Sequence, residues 1–370
     1  MIRLSKNKNI VICIGSLDNG GTEKQCFYLS SELLKRGYKI TLIVSKENSN
    51  DNFLFKKFSK LDVQLIFLKQ KFKFLKILEF RNHILSINPQ IILCCQLYLN
   101  IIGFFSFLPK NIKVVSWIRF QLNNQVLKRK TSIFTNLAFM WQDGFIFNSN
   151  YSLLNSKKII KNIKNKKSYL INNGLKFDKN KKLSKKNKSN LFKIGYIGRI
   201  DENKNVITLI NAYMRLFSDG HKLKLYIIGD GPSKKKVFEI IKKNENIFKN
   251  VEILNFQENL KNYYEKLNVI CLPSITEGTS NVIIEAMANY CPVITSNAKG
   301  NIELLEKGKY GTIFDLNDPN SLYEKLSEII NDKDEKIQIK AKNAYSYVKN
   351  KFSMKKMVDE HINVFDDVLK

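Results

Sequence analysis

The sequence predicts an α/β protein made of two doubly wound halves, each a parallel sheet with helices on both faces. Strand-length apolar runs alternate with amphipathic helical segments, the alternation stops at a lysine-rich polar stretch, and it then restarts. Strands separated by helices run parallel, and a parallel sheet is covered on both sides, so its strands read as nearly unbroken apolar runs. With 370 residues, 44% of them hydrophobic, the chain is long enough for two cores.

In order, "NIVICIG" at 9–15 reads as a buried strand, "NGGTEKQ" as a turn, "QCFYLSSELLKRG" as a helix closed by Gly37, and "YKITLIVS" as the next strand. Thr22 with Gln25 three residues later fits a capping box, so that helix is expected to begin right after Gly20 and Gly21. The strands "VQLIFL", "PQIILCC", "IKVVSWIR" and "DGFIFNS" follow, with the amphipathic "FKFLKILEFRNHILSIN" among them. Residues 178–190, "DKNKKLSKKNKSN", have almost no apolar side chains and read as a solvated basic linker. Beyond it, "LFKIGYIGR", "KLKLYIIGD", "VEILNF", "NVICLPS" and "CPVITS" alternate with helical segments such as "NVITLINAYMRLF" and "VFEIIKKN". The expected domains are therefore 1–177 and 191–350, both Rossmann-like, with a helix over 351–370 able to pack back on the first. Ligands of such sheets bind beyond the carboxyl ends of the strands, and the cleft between the halves is the expected site.

Charge narrows the partners: 62 Lys and Arg stand against 33 Asp and Glu, a net charge of +29. Residues 151–190 alone hold thirteen lysines beside the single acid Asp178. Such an excess favours anionic partners, whether nucleic acid, anionic lipid or phosphorylated substrates. No aromatic-basic RNA-binding motif and no zinc-finger spacing supports nucleic acid. The six cysteines form no C-x-x-C pair and no metal-ligand spacing, and most lie in apolar runs, so reduced, buried thiols are expected. The opening "MIRLSKNKNIVICIGS" has too short an apolar run for a signal peptide, and no segment reaches the ~18 apolar residues a membrane span needs. A cytoplasmic protein is expected, with attachment to a membrane surface open.

Three glycine-containing turns follow predicted strands: "GSLDNGGTEK", "GRIDENKN" and "GDGP". Glycine lets backbone N–H groups approach an anion, and the next helix points its positive end there; a plain tight turn explains any one of them equally well. The second turn is more specific because Arg199 and Lys204 flank it, a forked and a point donor able to neutralise a diphosphate. In "LPSITEGTSNVIIEAMANYCPVIT", Glu277 sits in a turn and Glu285 inside the helix that follows. With Thr279 or Ser280 as cap, Ile283, Met287 and Tyr290 fall on one side of the wheel, and Asn281 and Glu285 on the other. One ligand could then meet Glu277, the free N–H groups of the helix start and Glu285 together. "DKD" at 332–334 reads as solvated surface.

At these motifs the chain resembles the family 4 retaining glycosyltransferases, which have the GT-B fold. "DNGGTEK", "NSNY", "LINNGL", "GRIDENKN", "IIGDGP" and "EGTSNVIIEAMA" carry the resemblance, in the family's order and across nearly the whole chain. It implies that Arg199 and Lys204 hold the diphosphate of a nucleotide-sugar donor, that Glu285 binds the ribose, and that Glu277 contacts the transferred sugar. It further implies that the amides of Gly278, Thr279, Ser280 and Asn281 complete the phosphate site with Gly198 and Gly229. By the same resemblance Gly20 and Gly21 cover the donor from the first domain, and residues around Phe256 meet the nucleobase. The implied reaction is metal-independent sugar transfer with retention and no cofactor, from a UDP-sugar, perhaps a UDP-N-acetylhexosamine, to a lipid-linked or glycan acceptor. The implied setting is synthesis of bacterial surface polysaccharide at an anionic membrane face.

Three departures bear on specificity. Many relatives carry Arg-His after the strand matching "VVSWIR", where this chain has Arg119 and Phe120, the expected acceptor or sugar contacts. The usual glycine before Pro-Val is replaced by "YC", and the family's glycine pair is reduced to "KGNIE" at 299–303. A nucleotide-sugar 2-epimerase of the same fold and a non-catalytic anion-binding protein are the competing readings.

Overall fold

In the computed structural model, residues 8–18, 20–46, 53–119, 132–178, 191–332 and 336–370 are described. The chain forms two compact units, 1–174 with 354–370 and 175–353. Phe120, most of the expected linker and the last two residues of "DKD" lie outside the described residues.

Among the described residues, the first unit has a seven-stranded parallel sheet. Its strands are β1 (Asn9–Ile14), β2 (Lys39–Val44), β3 (Gln64–Phe67), β4 (Ile91–Cys94), β5 (Lys113–Ile118), β6 (Gly144–Phe147) and β7 (Ser168–Leu170). Their spatial order is β3-β2-β1-β4-β5-β6-β7. Alternate residues of β1 face opposite cores, which explains the unbroken apolar run. Ile10, Ile12 and Ile14 meet Cys26, Leu29 and Leu33 of the helix Gly21–Lys35, while Val11 and Cys13 meet Phe80 and Ile84 of the helix Lys73–Ile87. The last helix, Met354–Leu369, belongs to this unit: Met357, Val358, Val364 and Phe365 enter the first of these cores, and Asp359 pairs with Arg36 at 2.6 Å.

The capping box at Thr22 does not form. The helix starts at Gly21 with Gly20 as an N-cap lacking any side-chain bond, and Gln25 is used elsewhere. Its Nε2 donates to the Gly174 carbonyl at 3.0 Å and its Oε1 accepts from the Gly174 N–H at 2.7 Å. A buried backbone donor and acceptor with no ladder partner cost more to leave unpaired than one N–H at a helix end, and this decides where the carboxamide goes. Gly37 ends the helix as expected, at φ +85°.

The second unit has a six-stranded parallel sheet: β8 (Phe192–Ile197), β9 (Leu223–Ile228), β10 (Val251–Leu254), β11 (Val269–Leu272), β12 (Val293–Ser296) and β13 (Thr312–Phe314). Their order is β10-β9-β8-β11-β12-β13. The order reverses between β8 and β11, so the turns after these two strands open side by side at the carboxyl edge, where open α/β sheets bind ligands. All six cysteines are buried and free, with Cys26 Sγ 3.4 Å from Cys95 Sγ. No described helix is long and apolar enough to cross a membrane.

Candidate active site

The glycines after β8 and β9 build a tight floor. The Gly198 N–H donates to the Ile228 carbonyl at 3.0 Å, continuing the ladder past the strand end. A Cβ on Gly229 would lie 1.9 Å from the Gly198 carbonyl oxygen, and one on Gly231 would lie 2.3 Å from that of Ile200. Gly229 also has φ +148°. The two turns touch backbone to backbone, so glycine is needed here for packing as well as for conformation.

The turn that follows is organised by Asp201. One carboxylate oxygen stands 3.3 Å from Arg199 Nε, and the other accepts from the Lys204 N–H at 3.0 Å. Arg199 stays at the surface, its side chain 70% exposed. Tyr196 donates its buried hydroxyl to the Arg199 carbonyl, and burial, reinforced by the charges of Asp201 and Glu277, holds that phenol protonated well above its ordinary range.

Asn203 ties this turn to the one after β11. Its Oδ1 accepts from Thr276 N–H and Oγ1, its Nδ2 donates to the Thr276 carbonyl, and its carbonyl accepts from Ile275 N–H. Across this clasp the Lys204 ammonium meets Glu277 Oε1, with side chains only 23% and 11% exposed. Ser274 Oγ donates to the same oxygen at 2.9 Å, and the Ser274 carbonyl accepts from Ser296 on β12. Two residues expected to share one ligand are thus already in contact, and Arg199 is linked to them through Asp201.

Gly278, Thr279, Ser280 and Asn281 lead into the helix Asn281–Met287, and Ser280 is the cap, its Oγ accepting from the Ile283 N–H at 3.5 Å. Ile283 and Met287 are buried as the wheel requires. Glu285 is half-buried rather than exposed: the hydroxyl of Tyr264, itself buried, stands 3.2 Å from Glu285 Oε2. Burial and then the Glu285 charge push the Tyr264 phenol well up, so it donates to a carboxylate. Gly300 supports the turn from below; a Cβ there would lie 1.8 Å from the Gly278 carbonyl oxygen. Phe256, just past β10, is 42% exposed. Among the described residues, no group of three or more His, Cys, Asp or Glu could hold a metal ion.

In the first unit, Gly20 lies against Glu23: a Cβ on it would come within 2.2 Å of Glu23 Oε2. Gly21 is the first residue of the helix. Glu23 is buried, which pushes its carboxyl up, partly offset by its own backbone N–H and the charge of Arg119. Arg119 follows β5 with its guanidinium 4.7 Å from the Trp117 ring; its Nε and Nη1 are cut off from solvent and have no hydrogen-bond partner among the described residues.

Sequence reasoning missed Asp201, Asn203, Ser274, Tyr264, Gly300 and Glu23. Asp201 and Asn203 lie inside the "GRIDENKN" turn, and Gly300 inside "KGNIE", so position was a signal for those three. Glu23 lies inside "DNGGTEK" and Ser274 three residues ahead of Glu277 in its quoted stretch, so they too were marked by position; Tyr264 carried no signal, because its role depends on strand order.

Residues 177–350 match the family model described as glycosyl transferases group 1. This stretch is similar to a group 1 glycosyl transferase domain. The group 1 resemblance extends to CapM, a capsular polysaccharide biosynthesis glycosyltransferase of Staphylococcus aureus, 32% identical over 209 residues that cover 54% of each chain. A second relative is the Campylobacter jejuni N-acetylgalactosamine-N,N'-diacetylbacillosaminyl-diphospho-undecaprenol 4-alpha-N-acetylgalactosaminyltransferase, 33% identical over 175 residues, 47% of this chain and 44% of that protein. The matched stretches thus span about half the length of these relatives. Among solved structures, Anabaena HepE in complex with UDP and glucose superposes with a TM-score of 0.81 at 18% identity, over 97% of this chain and 99% of that one. The chain accordingly has the GT-B fold expected from its motifs.

Proposed function

We propose that this protein transfers a sugar, with retention, from a UDP-sugar to a lipid-linked or glycan acceptor in the assembly of a surface polysaccharide. The observation that carries this reading is the Lys204–Glu277 contact at the reversal of strand order, bounded by Arg199 through Asp201 and by the capped helix that bears Glu285. The relatives support the rest: one is a capsule glycosyltransferase, another is named for a diphospho-undecaprenol substrate, and the HepE complex holds UDP and glucose.

In this reading the bond from the anomeric carbon to the diphosphate breaks with its electron pair passing to phosphate. Negative charge grows on the departing oxygen as the sugar becomes oxocarbenium-like, and the acceptor hydroxyl bonds to the anomeric carbon on the same face while its proton passes to the departing phosphate oxygen. Lys204 and Arg199 supply cations to that charge, and the amides from Gly278 to Asn281 supply donors fixed beforehand, so little reorganisation is needed at the moment of reaction. Glu285, oriented by Tyr264, holds the ribose hydroxyls, and Phe256 faces the base. Glu277 contacts the sugar and keeps the Lys204 ammonium in place. We assign the acceptor to the first unit, through Arg119, and a membrane surface as the setting. No metal or cofactor is invoked.

The test is UDP release from a panel of UDP-sugars, with and without a polyprenyl-diphosphate-linked sugar, with NMR of the anomeric configuration of the product. Acceptor-dependent release and a retained configuration are expected. Conversion of the donor with no acceptor would point to an epimerase, and an inverted product would remove the retaining assignment.

A further inference from the structure

The helix Lys73–Ile87 of the first unit fails to bury most of its apolar residues. It sends Phe80 and Ile84 into the core and leaves Leu75, Leu78 and Leu85 more than 40% exposed. At its start Phe72 and Phe74 are 74% and 69% exposed, values that a water-facing phenyl ring has no reason to reach twice in three residues. Phe74, Leu78, Arg81 and Leu85 recur at helical spacing, so they form one stripe.

A second segment extends this stripe. Phe107, also 74% exposed, follows the helix Leu97–Phe105, and Arg81 Nη1 donates to its carbonyl at 2.5 Å and also to that of Ser106. Ser106 Oγ reaches the Ile77 carbonyl at 3.4 Å. Phe107 has φ +44°, a left-handed conformation that an aromatic residue rarely adopts. The projecting ring is thus fixed to the stripe by its backbone.

The charge around these rings has one sign. Lys69, Lys71, Lys73 and Lys110 are all exposed. The nearby acid, Glu79, is half-buried and engaged by the loop before the helix, one oxygen accepting from the Lys69 N–H at 2.9 Å and the other from the Gln70 N–H at 3.1 Å. That carboxylate clamps the loop carrying Lys69 and Lys71 to the helix, and residues 69–78 themselves contain no acid.

We propose that this surface seats the first unit on an anionic lipid bilayer. Phe72, Phe74 and Phe107 enter the interface between headgroups and chains, and the lysines around them meet lipid phosphates. Rigid aromatic rings ringed by lysine, with the local acid internally satisfied, fit an interface that is apolar below and negative at its surface. The proposal deepens the reading of a lipid-linked acceptor but rests on the surface itself.

Flotation of the full chain with phosphatidylcholine vesicles, with and without phosphatidylglycerol, tests it alongside UDP release to a water-soluble acceptor analogue. Wild type is expected to float with the anionic vesicles and to dissociate as salt is raised. Phe72→Ser/Phe74→Ser should lower the bound fraction at least tenfold, and Lys71→Ser/Lys73→Ser severalfold, with turnover of the soluble acceptor unchanged in both. Lys235→Ser/Lys236→Ser removes two exposed lysines from the other unit and should leave binding as it was. Failure of wild type to float, undiminished binding by the phenylalanine variant, or an equal loss in the distant lysine variant would each overturn the proposal. Loss of turnover with lipid binding intact would instead count against the assigned activity alone.

Discussion

Lys204 and Glu277, separated by 73 positions in sequence, meet as ammonium and carboxylate on neighbouring turns of the second sheet. The pair is held by more than its own charge, since Asn203 fixes one turn to the other and Ser274 donates to the same Glu277 oxygen. In the proposed site a lysine and a carboxylate are thus held in place by the fold itself, which makes the consequences of altering them specific.

Glu277→Gln is expected to lower kcat by about 10²- to 10³-fold, the loss typical of removing one fixed electrostatic contact in a transition state. The fold should lose no more than about 1–3 kcal/mol, because the Lys204 ammonium loses its counter-charge but keeps partial access to water. UDP release and thermal denaturation measured on the same preparation separate the two effects. Wild-type turnover in the variant would remove Glu277 from the reaction.

Gly300→Ala should behave in the opposite way, as a packing lesion that also reaches the site. A methyl group 1.8 Å from the Gly278 carbonyl oxygen forces the 277–278 turn to move, at a cost of about 1–3 kcal/mol. Calorimetry should show a lower Tm, and UDP titration a weaker Kd. An unchanged Kd would mean that the turn's position is irrelevant to the donor.

Tyr264→Phe deletes only the buried hydroxyl beside Glu285. It is expected to cost about 1 kcal/mol of stability and to raise KM for the donor up to about tenfold with kcat nearly unchanged. A fall in kcat with KM constant would show that Glu285 acts on the departing group, contrary to the ribose role.

His361 predicts a pH dependence in the first unit. Its ring is buried against Trp117, with Nδ1 2.8 Å from the Met357 carbonyl, and burial lowers its pKa to about 4 from the ordinary 6.5. The unfolded chain therefore takes up a proton that the folded chain refuses. The stability from a neutral His361 is complete above pH ~6.5 and is lost as pH falls toward ~4, by about 3 kcal/mol in all. Denaturant unfolding at stepped pH should show that His361→Leu flattens this part of the profile. An identical slope in wild type and variant would assign acid sensitivity to carboxylates elsewhere.

Where a strand was long and buried on both faces, as with residues 9–14 or 192–197, its apolar run was legible in the sequence. The strands β7 and β13 were not, because three residues at a sheet edge are too few to set a period. The site shows the same division. Arg199, Lys204 and Glu277 could be picked out because charged residues at glycine turns are chemically conspicuous, whereas Glu285, inside a helix, stood out only through its spacing from Glu277 and the family resemblance.

The sequence by itself determined two α/β halves, the turns that end their strands, and the identity of the charged groups on those turns. These properties depend on local periodicity and on the spacing of a few residue types. Only the tertiary structure decided that Lys204 touches Glu277, that Asp201 links Arg199 to Lys204, that Gln25 binds Gly174 instead of capping its own helix, and that Phe72 and Phe74 face outward. Each of these outcomes depends on which strands become neighbours and which polar atoms lose water. Partner choice is a competition among distant groups, and it is settled only when the sheets close.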